Sequence, residues 1–304
     1  MNFFSSQLWL AQASTSGAVG AAADSTVSWL LGNGGALFSL VNTTILTLTG
    51  FCEQFLNAPS PWLLALVVAL LGLWRVSASF GLLSLLGLNL VKAMGLWEPM
   101  VSTLALVLTA SLLALTIGLP LGVLAARQRS IWQLTRPLLD LMQTMPAFVY
   151  LIPAVMLFST GAVPSVIATL IFSMPPVVRL TVLGIRQVPA DLIEAGRSFG
   201  CSEWQLLTKV QLPNALPTLM TGVNQTIMLA LSMVVIASMI GGGGLGDVVL
   251  RGIQQLNIGL GFEGGLAVVI LAVILDRLSQ SLSTPPATSV RVRVRSLVNL
   301  WRLP

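Results

Sequence analysis

Glu194-Ala195-Gly196, then Gly200, then Val210-Gln211-Leu212-Pro213 punctuate a polar stretch, residues 184–214, that also carries Arg186, Asp191, Arg197, Glu203 and Lys209. The chain around it is almost free of charge. The runs 99–126, 141–178 and 210–246 contain no Asp, Glu, Lys or Arg. A charged side chain at the centre of a bilayer costs about 2.5–3.5 kcal/mol on insertion scales, and about 20 apolar residues suffice to cross. These runs therefore read as membrane spans, the second long enough for two helices. With 55% hydrophobic and 8% charged residues, a soluble fold of 304 residues is excluded. A β-barrel would alternate apolar and polar positions, and these runs do not. The fold class is an all-α polytopic membrane protein.

Within the polar stretch, Pro189 suits the first turn of a helix, where its missing N–H is harmless. Asp191 and Glu194 follow in the first turns, favourably placed for the helix dipole. Gly200 is suited to end that helix in the left-handed conformation, Ser202 or Glu203 to start a second, and Pro213 to stop it. The expectation is two short helices at an angle outside the bilayer. Small residues at 195, 196 and 200 allow a partner's backbone close, while Phe199 and Trp204 can anchor in a groove.

Helices are expected at roughly 36–56, 61–80, 82–96, 99–126, 138–160, 163–183, 216–240 and 262–282. The first contains Asn42, a Thr-rich run and Glu53, and so is open to lying in the interface rather than spanning. No Lys or Arg precedes Arg75. Residues 1–35 lack the basic start of a secretory signal, and their Ser/Ala/Gly bias predicts a mobile tail. Arg127, Arg129 and Arg136, then Arg186, Arg197 and Lys209, then Arg291, Arg293, Arg295 and Arg302 are separated by even numbers of spans. The positive-inside rule puts all three groups in the cytoplasm. The turn 161–164 and the Gly-rich segment 241–261 are then external, with Lys92 and Arg251 against the bias. The basic balance thus reflects arginines flanking spans, not a nucleic-acid surface.

The composition excludes several chemistries. There is no histidine, which removes His-based catalysis and most zinc chemistry. Cys52 and Cys201 are too few and too far apart for a disulfide framework or a metal site. No metal or cofactor is expected. Neither lysine follows a glycine, so no G-x-x-x-x-G-K-[ST] phosphate loop exists. Gly244-Leu245-Gly246-Asp247 matches the G-x-G-D of intramembrane aspartyl proteases. The partner carboxylate would have to be Asp140, which the charge count puts at the opposite face. A secondary transporter needs ionisable groups inside its spans, and the central spans have essentially none.

The spacing of the polar stretch is that of the EAA loop: three residues to the glycine, nine to an aliphatic residue, then x-Leu-Pro. Gly196 replaces the usual Ala, and Val210 stands where Ile is common. The chain resembles the permeases of the glycine betaine/proline betaine branch of binding-protein-dependent ABC importers. Further likeness lies in Leu104–Ala126, Arg136-Pro137-Leu138-Leu139-Asp140, Gln143-Thr144-Met145-Pro146-Ala147-Phe148-Val149-Tyr150, Pro175-Pro176, Gln187-Val188-Pro189-Ala190-Asp191, Gly222-Val223-Asn224-Gln225, Leu229–Ile240 and Ile274-Leu275-Asp276-Arg277. It covers roughly 60–284.

The resemblance implies a type I ABC importer transmembrane domain with cytoplasmic coupling helices. It would act in the cell membrane as a homodimer, with two copies of an ATP-binding subunit and an external substrate-binding protein. A mobile tail (1–35), peripheral helices (36–97), a permease core (98–284) and a basic cytoplasmic tail (285–304) are the expected parts. Asp191, Glu194, Ala195, Gly196, Phe199, Gly200, Leu212 and Pro213 would couple to the ATPase.

Inside the spans, prolines at 120, 146, 153, 164, 175 and 176 suit either bent helices around a pathway or ordinary kinks. Gly118-x-x-x-Gly122 and Gly261-x-x-x-Gly265 fit close helix approach. Tyr150, Asn224, Gln225, Thr226 and Ser232 are candidates for pathway lining or for packing between helices. Met228, Met233 and Met239 read as packing residues. Asp276 and Arg277, near the cytoplasmic end, are free to meet the coupling loop or lipid headgroups. A quaternary ammonium needs an aromatic cage. Phe148, Tyr150, Phe158 and Phe172 do not form an obvious one.

Overall fold

The computed structural model describes residues 3–283; the basic tail expected over 285–304 lies outside the described residues. Every regular element among them is helical. Among the described residues, five helices are long and apolar enough to cross a membrane, or six if one bent pair counts as a span.

The first helix, α1 (Phe3–Asn57), is continuous where a mobile tail over 1–35 is expected. The run Gly32–Asn57 is long and apolar enough to span. Glu53 accepts a hydrogen bond from Ser102, 2.6 Å away, in the first turns of α4 (Trp97–Arg127). Phe38 meets Phe158 edge to face at 5.4 Å.

A hairpin follows, α2 (Pro61–Arg75) and α3 (Ala78–Ala93). Ser60 and Ser77 cap these helices, accepting from Leu63 and Phe80 N–H. The first is shorter than the expected 61–80, and the second starts and ends a few residues before the expected 82–96. The break between them falls at Val76–Ser77.

The core is α7 (Ala162–Arg186), which lies between α4 and α10 (Leu212–Ala237). Lipid tails are as apolar as leucine, so helices associate in membranes by close packing. Gly118 and Gly122 provide it on α4. A Cβ on Gly118 would sit 2.5 Å from Val177 Cγ1, and one on Gly122 2.6 Å from Thr181 Cβ. The other pair differs: the position beside Gly265 is open. Met100, Val101, Ala105, Val166, Ala230, Val234, Leu245 and Leu271 join the three helices to α11 (Gly244–Gln254) and α12 (Ile258–Ser283) in one buried cluster.

Two expectations need correction. The single helix over 138–160 is two, α5 (Arg129–Thr144) and α6 (Ala147–Phe158), bent by 103°. Pro146 forces the preceding Met145 into an extended conformation (ψ 135°) and so ends α5. Nor does Pro213 stop the second helix of the polar loop. Glu203–Ile240 runs as one 38-residue helical stretch. A π-helical turn, Leu206–Gln211, precedes Pro213, and Leu212 N–H bonds back to Leu207 O. That wider turn changes the hydrogen-bond register just where the proline supplies no donor.

Candidate functional site

The polar loop folds as two helices at an angle. The first, α8 (Ala190–Ser198), follows Pro189 and has Asp191 in its first turn. Gly200 (φ 78°) terminates it, with Cys201 N–H bonding to Gly196 O at 3.0 Å and Phe199 N–H to Ala195 O at 3.0 Å. Only glycine adopts this conformation without strain. Ser202 then caps α9 (Glu203–Gln205) in a reciprocal box. Ser202 Oγ accepts from Gln205 N–H, and Gln205 Oε1 from Ser202 N–H at 2.9 Å.

The two helices are tied from inside and outside. Gly196 is the buried residue of α8, and a Cβ there would meet Leu206 Cδ1 at 2.8 Å. A smaller residue than the family's alanine thus lets α8 sit down on the π-turn. On the surface, Glu203 bridges Arg197 (3.3 Å) and Arg127 at the end of α4 (3.7 Å). Exposed pairs of this kind orient more than they stabilise. Leu212 is half-buried against Ile185, Leu207 and Ala215, whereas Pro213 is exposed.

What remains outward is an apolar and acidic face. Phe199 is 88% exposed and Trp204 67%. Asp191, Glu194, Ala195 and Gly200 are exposed beside them, and the space around Gly200 is open. Large aromatic side chains held out on a rigid, capped frame are what a protein partner's groove requires. The frame continues without interruption into α10. At about 1.5 Å per residue, the 38-residue stretch is longer than a bilayer core is thick.

The other sequence candidates separate. Tyr150 is buried; its hydroxyl donates to Met142 O, and its ring meets Phe172 edge to face at 6.2 Å. Asn224 lies in the seam between α10 and α12. It donates to Asp276 (3.4 Å) and accepts from Ser279, and Gln280 also donates to Asp276 (2.6 Å). Asp276 thus meets α10 and its own helix rather than the coupling loop. Gln225 and Ser232 are exposed, seven residues apart on one face of α10. Asp247 pairs with Arg251 (3.1 Å), and Asp140 with Arg179. Each aspartate of the supposed dyad therefore has its own arginine.

One feature escaped the sequence reading. Arg179 sits inside α7, two turns before its end, and pairs with Asp140 on α5. An ionisable residue within a span is itself a functional signal. Its place just past the charge-free run 141–178 hid it.

The family model described as binding-protein-dependent transport system inner membrane component matches residues 118–284. The chain is 57% identical to the glycine betaine/proline betaine transport system permease protein ProW of Escherichia coli (strain K12), over 77% of this chain and 66% of that protein. It thus spans just under two thirds of that relative's length. It is 46% identical to the glycine betaine transport system permease protein OpuAB of Bacillus subtilis (strain 168), over 85% of this chain and 92% of that one. A solved structure of the MetNI methionine ABC transporter in an inward-facing conformation shares the fold. Its TM-score is 0.55 and its identity 21%, over 60% of this chain and 91% of that one. An all-helical membrane domain built around α4, α7 and α10, matched by the family model across more than half its length, belongs to the binding-protein-dependent transport system inner membrane components.

Proposed function

We propose that the chain is the membrane-spanning permease subunit of an ATP-driven importer for glycine betaine- and proline betaine-type solutes. The observation that carries this reading is the capped two-helix loop, rigidly continuous with α10, in a chain 46–57% identical to permeases named for these solutes. The chain has no phosphate-binding loop of its own, so hydrolysis falls to a separate ATPase. Phe199 and Trp204 fill that partner's groove, Asp191, Glu194, Ala195, Gly200 and Pro213 shape the surface around them, and Gly196 and Leu212 seat the frame from beneath. Because α9, the π-turn and α10 form one helical stretch, displacement of the docked partner moves the span directly.

The loop and residues 285–304 face the cytoplasm, and an external binding protein delivers solute to the opposite side. A second copy of the chain completes the pathway. Gln225 and Ser232, exposed and polar on one face of α10, face that pathway; Tyr150 and Asn224 hold helices together. Residues 98–284 are the permease core, with 36–97 packed at its periphery.

Reconstitution with the ATPase and binding protein tests this reading. Glycine betaine and proline betaine should stimulate ATPase activity and uptake more than unmethylated glycine. Equal or better uptake of unmethylated amino acids would move the chain to another importer branch.

A further inference from the structure

A second site lies beside the coupling loop. The helix α5 runs back along the last turns of α7. Trp132 stands opposite Arg186 and Asp140 opposite Arg179, while Leu139 and Met142 pack with Val177 and Val178. Between these helices opens a cavity of about 400 Å³ lined by Trp132, Arg136, Asp140, Arg179, Leu183 and Arg186. Its size falls within the ~300–1,000 Å³ of small-molecule sites.

Three arginines against one aspartate give the cavity a net charge of +2. Asp140 takes one contact from Arg179 and a 3.9 Å approach from Arg136 Nε. Arg186 is anchored by Ala125 O (2.9 Å) and Ala126 O (3.4 Å), 5.4 Å from the Trp132 ring. One carboxylate and two carbonyls leave most of the guanidinium N–H groups without a described acceptor. The apolar lining (Leu180, Val182, Leu183) lies between Arg179 and Arg186 along α7. Planar donors flanking an apolar wall, at the basic end of the spans, match a phosphate carrying acyl chains.

We propose that the Arg136–Arg179–Arg186 cavity binds a phosphate anion, supplied by the headgroup of an anionic phospholipid, and that Asp140 competes for the same guanidinium groups. The site is separate from the exposed face of Phe199 and Trp204 and does not depend on the transported solute.

Native mass spectrometry of the full-length protein, titrated with phosphatidylglycerol, phosphatidylcholine or inorganic phosphate, tests this. Phosphatidylglycerol should bind in preference to phosphatidylcholine. Arg136→Gln, at an exposed position that packing does not need, should weaken it about fivefold, and Arg136→Gln with Arg179→Gln further. Asp140→Asn should tighten binding, whereas a merely structural ion pair predicts loss or no change. Displacement of the lipid by millimolar inorganic phosphate would support the anion site with a soluble source; no displacement would support the lipid. Equal binding of both lipids with no effect of phosphate, or weaker binding by Asp140→Asn in a folded protein, overturns the proposal.

Discussion

The Tyr150 hydroxyl donates to the carbonyl of Met142, which an unbroken helix would have paired with the N–H of residue 146. That residue is Pro146, which has none. The donor lost to the proline is thus replaced by a side chain one turn further on, across the 103° bend. A buried carbonyl left without a partner costs about 1–3 kcal/mol. Tyr150→Phe should therefore lower the thermal stability of the detergent-solubilised protein by that order. In a Pro146→Ala background, where the backbone donor returns, the same change should cost clearly less. A double-mutant cycle showing strict additivity would refute the relationship.

Gly200 separates folding from docking. Its φ of 78° costs a side chain about 1–2 kcal/mol, yet nothing stands within 4 Å of where a Cβ would be. Gly200→Val should insert into the membrane near normal levels but lose ATP-driven uptake and co-purification of the ATPase. Phe199→Ala and Trp204→Ala, both on the exposed face, should weaken co-purification without lowering expression. Normal association of all three variants would remove the coupling role.

The loop was legible because its turns demand particular residues. A left-handed cap needs Gly200, and a helix start favours Ser202; the reciprocal partner Gln205 emerged only in the structure. The spans α4 and α10, and α7 up to Val178, were legible from their charge-free runs, whereas α12 carries Glu263, Asp276 and Arg277. What was hidden is what the bilayer tolerates or what distance separates. Proline occurs in many membrane helices, so Pro146 did not announce a break any more than Pro175 or Pro176, which α7 carries through. The π-turn that lets the helix pass Pro213 has no local residue signature. The Arg179–Asp140 pair joins positions 39 apart on different helices, and no local pattern links them.

The two glycine pairs of the same sequence pattern should behave oppositely. Gly118 faces Val177 at a distance no Cβ tolerates, while Gly265 faces open space. Gly118→Leu should overpack the seam between α4 and α7, at a cost of about 1–3 kcal/mol, and reduce the yield of folded protein. Gly265→Ala should be neutral or slightly stabilising in the same thermal assay. Equal effects would mean that the α4–α7 seam has slack that its geometry lacks.

Sidedness rests on two independent arguments that must agree. Contacts group the connections without reference to charge. Arg186 bonds the carbonyls of Ala125 and Ala126, so the end of α4 and the end of α7 share one side. At the other, Gly161 N–H bonds Ile240 O, and Leu245 N–H bonds Thr103 Oγ1 at 2.7 Å. The first turns of α4, the start of α7 and the glycine turn before α11 therefore lie together. Only the sign is left to the positive-inside rule, and the end holding Arg127, Arg186 and the coupling loop carries the basic residues. Glu53, near the end of α1, bonds Ser102, so the connection at 57–60 lies outside with the first turns of α4. In a variant lacking Cys52 and Cys201, single cysteines at 58, 160 and 255 should react with an impermeant maleimide in intact cells. Those at 128 and 199 should react only after permeabilisation. Labelling of position 199 from outside would invert the topology and with it the ATPase assignment. Mixed labelling within either group would instead contradict the helix contacts themselves.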